Sequence, residues 1–96
     1  MFIINITYKA QMEKIDQYLA EHVKFLDEQY ELGNFLASGR KVPRTGGIIL
    51  SDVAIKCDLE KIIEKDPFFI QNLAYYDVIE FVPSKTSVGL KFLMKD

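Results

Sequence analysis

Residues 2–33 read FIINITYKAQMEKIDQYLAEHVKFLDEQYELG, and a change of period inside this stretch decides the fold. In FIINITY, residues 2–8, Phe2, Ile4, Ile6 and Tyr8 share one parity, and Asn5 and Thr7 fall on the other. Alternation at period two is a strand with one face buried. Ile3 breaks the polar parity, so the second face is expected to be covered too. From residue 11 to residue 32 the apolar residues step by three and four instead: Met12, Ile15, Leu19, Val23, Leu26 and Tyr30. That spacing predicts one face of a helix of about six turns. Gly33 stops it, because glycine enters the left-handed region without a Cβ clash.

Downstream the segments stay short. FLASG, residues 35–39, reads as a strand. A loop with Pro43, Gly46 and Gly47 follows, and then the β-branched run IILSDVAI, residues 48–55. The two runs are expected to form a hairpin with a long connection. Asp58 is placed to cap a short helix whose inner side is Leu59, Ile62 and Ile63. Asp66-Pro67 reads as a second helix start, since proline suits the first helical position, where its missing N–H is not needed. YYDVIEFV, residues 75–82, is the last strand, ended by Pro83. Residues 87–94 fit two patterns. Val88, Leu90, Phe92 and Met94 alternate as in a strand, whereas Ser87 is a possible helix cap.

The order is β-α-β-β-α-β, a ferredoxin-like α+β domain. Such a sheet carries helices on one face only. The parities leave Ile3, Ile49, Val53 and one set from residues 75–82 for the other face. That set is Tyr75, Ile79 and Phe81, or Tyr76, Val78 and Val82. A face this apolar is not expected to stay wet. A homodimer packed sheet to sheet is the simplest cover.

The 96 residues suffice for one domain. Residues 84–96 are read as a C-terminal tail at the dimer interface. A net charge of -2 argues against a general nucleic-acid binder. The single cysteine, Cys57, excludes an internal disulfide and a Cys-rich zinc site. No 18-residue apolar run exists to span a membrane, and residues 1–8 lack a basic, apolar leader. A cytoplasmic setting is the expectation. G-x-G-x-x-G, P-loop and H-E-x-x-H motifs are all absent. One His and one Cys speak against a transition-metal site, so neither metal nor cofactor is expected. The fold also occurs in RNA-binding domains, but their aromatic strand signature is missing.

Four places could carry chemistry. His22 is the only histidine. It falls about 70–80° from the centre of the apolar stripe, on the border between core and solvent. There it could move protons near neutrality, or simply pack against Tyr18 and Phe25. Asp66 is a helix cap by position. A carboxylate has two oxygens, so it could also orient His22 and free the other ring nitrogen as a base. Ser38-Gly39 ends a strand, either as a tight turn or as a hydroxyl and open backbone for a ligand. No G-x-S-x-G elbow surrounds it. Arg40, Lys41 and Arg44 form either a solvated loop or a lure for a small anion.

This ordered set resembles the YciI-like (YCII-related) family. The residues concerned are His22 in EHVKFL, Ser38-Gly39 in FLASG and Asp66-Pro67-Phe68 in EKDPFFI, across about residues 1–83. The resemblance implies a dimeric α+β barrel and a pocket lined by His22 and Asp66, with Ser38 nearby. It also implies small-molecule enzymes, akin in fold to muconolactone isomerases. Two departures stand out. Gly39 is followed by Arg40 where proline is common, and Gln71-Asn72-Leu73 stands where a small residue is common. Asparagine tolerates the left-handed turn there. The sequence reading is therefore cofactor-independent acid–base chemistry of isomerase, lyase or hydrolase type on a small anion. His22 and Asp66 are its catalytic pair, and Ser38, Gly39, Arg40, Pro67 and Phe68 its ligand contacts. The alternative is a non-enzymatic dimer that binds or senses a small molecule in the same pocket.

Overall fold

Strand parity sets the layers. In the computed structural model, which describes residues 1–95, β1 (Phe2–Tyr8) is the hub of the sheet. It pairs antiparallel with β3 (Gly46–Ser51) on one side and β4 (Ala74–Glu80) on the other. β2 (Phe35–Arg40) closes the order β2-β3-β1-β4. Helices α1 (Met12–Glu31), α2 (Lys56–Ile63) and α3 (Pro67–Ile70) complete an α+β, ferredoxin-like fold. Phe2, Ile4 and Ile6 of β1 are buried with Phe25, Phe35, Ile49, Leu59 and Ile63. A second cluster joins Ile15 of α1 to Phe68 and Leu73.

The expected elements are present, with shifted ends. Gly33 follows α1 with φ of 77°, and Asn72 turns the chain into β4 with φ of 57°. These are the left-handed positions assigned to them. Asp66 caps α3: its carboxylate accepts the Phe68 N–H at 3.0 Å, with Pro67 in the first turn. Asp58 is not a cap. Helix α2 starts earlier, at Lys56, so Asp58 sits inside the first turn, near the positive end of the helix dipole. The tail takes the helical alternative, a 3-10 helix from Val88 to Leu93, although Ser87 makes no side-chain cap bond. Asp96, the end of the expected tail, lies outside the described residues.

Two faces need correction. In α1 the buried line is Ile15, His22, Phe25 and Gln29, while Val23 is 45% and Tyr30 37% exposed. The apolar stripe is wider than the core contact, and its Leu19–Val23–Leu26 side borders a cleft. His22 belongs to the buried line and also lines that cleft, at the border where one was expected. On the sheet, Ile49 pairs with Ile4 and points to the helices, and Val53 packs on the same core. β3 runs from Gly46 to Ser51, so Ile48 and Leu50 take the other face, opposite Asn5 and Ile3. From β4 that face receives Tyr75 and Ile79.

A bulge in β2 governs what enters the cleft. Phe35 pairs with Ser51 and Ala37 with Leu50, so Leu36 is the extra residue. A bulge reverses side-chain parity along its strand. Beyond it Ser38 pairs with Ile49 and Arg40 with Gly47, both on the helix side of the sheet. A regular strand from Phe35 would have sent them to the opposite face.

Candidate active site

The centre is assembled from three elements. Asp66 follows α2, where its N–H bonds the Ile63 carbonyl at 2.9 Å. Its cap role turns the carboxylate inward, and the residue is 1% exposed. His22 comes from mid-α1, and its Nδ1 lies 2.8 Å from Asp66 Oδ1. Tyr76 comes from β4, and its hydroxyl donates to Asp66 Oδ2 at 2.5 Å. The carboxylate thus accepts from the Phe68 N–H, the His22 ring and the Tyr76 hydroxyl. A buried charge held this way meets the requirement that ions inside proteins be paired and bonded.

Below the pair lies an aromatic floor. The Phe68 ring stacks on the His22 ring at 4.1 Å between centroids, with planes 8° apart. Tyr8 meets Phe68 edge-on at 5.8 Å. The stack fixes the plane of the imidazole, and Asp66 fixes its rotation. Because Asp66 Oδ1 is an acceptor, Nδ1 carries the proton it donates. That leaves Nε2, the other ring nitrogen, for a ligand in the cleft that His22 lines.

The cleft measures about 300 Å³ between α1 and the inner sheet face. Ile6, Leu19, Val23, Leu26 and Ile49 give it apolar walls, and Ser38, Gly39, Arg40 and Arg44 a polar rim. His22 therefore shares one cavity with three of the residues assigned to ligand contact. Phe68 does not line it: it is 1% exposed and lies behind the imidazole. Pro67 is half-buried in the first turn of α3, away from that lining. The three loop cations divide. Arg44 pairs with Asp16 at 2.8 Å, and Lys41 bonds Thr7 Oγ1 at 3.0 Å. Arg40 stands exposed at the rim.

A family model, the YCII-related domain, matches residues 1–82 of the chain. The chain belongs to the YCII-related family. No curated protein matches it. The YCII-related span contains His22, Asp66, Tyr76 and every residue of the cleft, and leaves the 3-10 tail outside.

Sequence reasoning missed two tyrosines. Tyr30 was assigned to the core stripe, yet its hydroxyl lies 2.7 Å from Ser38 Oγ and ties the end of α1 to β2. Tyr76 appeared only as one of two parities in β4. The signal was there: a tyrosine sharing the inward parity of Ala74 and Val78 needs a buried partner for its hydroxyl. Burial, and after it the Asp66 charge, pushes the Tyr76 phenol well above its ordinary range, so it stays a donor.

Proposed function

We propose that this YCII-related protein is a small-molecule enzyme in which the His22–Asp66 pair performs acid–base chemistry on a small anion. The observation that supports it best is the pair itself. A buried carboxylate holds one ring nitrogen of the sole histidine, and that histidine lines a cleft with a cationic rim. His22 takes and returns a proton through Nε2, and Asp66 holds the ring and offsets its charge when it is protonated. Arg40 and Ser38 receive the anionic group, while Leu19, Val23 and Leu26 cover the apolar body. The reaction types within reach are isomerisation, elimination and hydrolysis, performed by the side chains themselves. The test is a pool of small organic acids followed by mass spectrometry, with native protein and His22→Gln in parallel. Glutamine keeps polarity and much of the volume but cannot carry a proton near neutral pH. Depletion of a pool member by native protein alone is the expected result. Saturable binding without depletion by either protein would replace the enzyme with the sensing module.

The working unit is proposed to be a homodimer packed through the outer sheet face. Tyr75 is 63%, Ile79 48% and Phe81 41% exposed in the single chain. At the middle of that face Asn5 Oδ1 is buried without a hydrogen-bond partner among the described residues. A second copy would cover the apolar surface and supply a donor. The tail would join the interface, with Leu90 and Phe92 47% and 57% exposed. Such an interface should bury more than about 1,000 Å². Sedimentation equilibrium at micromolar concentration is expected to show a dimer, and Ile79→Glu a monomer. A folded native monomer there would contradict the arrangement. A cytoplasmic setting fits the one free, exposed cysteine, Cys57.

A further inference from the structure

We propose that Tyr76 is a positioning residue of this site: its hydroxyl, bonded to Asp66 Oδ2, tunes how strongly Asp66 draws the Nδ1 proton of His22. The inference rests on the reading of His22–Asp66 as the acid–base centre. Asp66 Oδ1 is shared by the His22 ring and the Phe68 N–H, while Oδ2 is met by Tyr76 at 2.5 Å. The Phe68 amide cannot be moved by side-chain choice, so the tyrosine is the adjustable donor. It is also the only one of the three donors supplied by the sheet. Its ring meets Phe69 of α3 edge-on at 5.6 Å, so both ends of the side chain are fixed.

A hydrogen bond to a carboxylate withdraws charge from it. With the Tyr76 donor in place, Asp66 holds less negative charge to share with the imidazolium. Removal of that donor concentrates the charge on a carboxylate that is 1% exposed and has little solvent to compensate. The imidazolium then becomes the main remaining partner, and the protonated ring is favoured. Tyr76 thereby keeps His22 ready to give its proton up as well as to take one. The other titratable groups lining the cavity with His22 are Tyr8 of β1, Arg40 of β2 and Arg44 of the following loop. Asp16 of α1 is engaged by Arg44. All of them keep their side chains in Tyr76→Phe, and of these groups only Tyr8 also acts on the Tyr76 hydroxyl.

The test is a pH titration of the His22 ring by NMR, which is unambiguous because the chain has one histidine. Native protein, Tyr76→Phe and Asp66→Asn are compared, each checked for a folded spectrum. Asp66→Asn keeps an oxygen for the cap and removes the charge, so its midpoint is expected to fall below native. Tyr76→Phe is expected to raise the midpoint by about half a unit to one unit, a three- to tenfold change in proton affinity. A tyrosine that only packs would leave it unmoved, since phenylalanine keeps the ring. A fall in Asp66→Asn with no rise in Tyr76→Phe overturns the role of Tyr76 and leaves the pair standing. No change in either variant removes the pair as well. Should Tyr76→Phe fail to fold, Tyr76→Gln, whose amide offers a replacement donor without a second titrating ring, is titrated in its place. A midpoint above native there, with a donor restored, also contradicts the proposal.

Discussion

Asp66→Ala is expected to lower the stability of the fold by about 3–5 kcal/mol, the combined effect of a lost helix cap and of buried donors left without an acceptor. The change strands three donors together: the Phe68 N–H, the His22 Nδ1–H and the Tyr76 hydroxyl. Loss of the cap alone would account for about 1 kcal/mol. The remainder comes from donors that stay buried without an acceptor. Asp66→Asn retains an acceptor for the cap and should lose less, about 1–3 kcal/mol. Denaturant unfolding of the three proteins measures both steps. Equal loss in Ala and Asn variants would mean that the cap oxygen contributes nothing. A loss near 1 kcal/mol in Asp66→Ala would reduce the network to a cap.

Gly46→Ala is expected to be as severe, at about 3 kcal/mol or more, by overpacking. Gly46 pairs with Thr7 across β1 and β3. A Cβ there would sit 1.8 Å from the Ile6 carbonyl oxygen and 3.0 Å from the Thr7 Cα. Both obstacles are backbone of the central strand, so no rotamer change relieves them. The strands would have to part beside the cleft. Gly39→Ala is the control: no atom lies within 4 Å of its Cβ position, so the change should stay within about 0.5 kcal/mol. Thermal unfolding of the two variants separates a close approach from a general glycine effect. Comparable melting temperatures would contradict the packing described.

What could be read in the sequence followed local chemistry. The parity of Phe2, Ile4 and Ile6, the stop at Gly33 and the Asp66-Pro67 start each depend on one element alone, and each stands where expected. What could not be read depends on two elements at once. The α1 stripe was centred on every apolar residue, because periodicity cannot tell a wall packed on the sheet from one facing an open cleft. The buried line therefore contains His22, and Val23 is half exposed. The bulge at Leu36 left no mark in FLASG, though it alone turns Ser38 and Arg40 to the helix side. Ile49 was given the wrong face for the same reason: the register with Ile4 decides it, not the run IILS. At the site, Asp66 is legible as a cap; its pairing with His22 is open from the residues as a second role for the carboxylate, and the family resemblance favours it. Tyr76 joins them across 10 residues of chain, a contact that no spacing rule reports.

The central claim is that Asp66 holds the Nδ1 proton of His22 and so turns Nε2 toward the cleft as the working nitrogen. Ring nitrogen shifts of the single histidine test this without any substrate. A long-range proton–nitrogen correlation spectrum, recorded where the ring is neutral, assigns the protonated nitrogen directly. The geometry predicts protonated Nδ1 and unprotonated Nε2, and loss of that preference in Asp66→Asn. A neutral ring protonated on Nε2 would contradict it, since Asp66 would then face a bare nitrogen and the cleft would have no base.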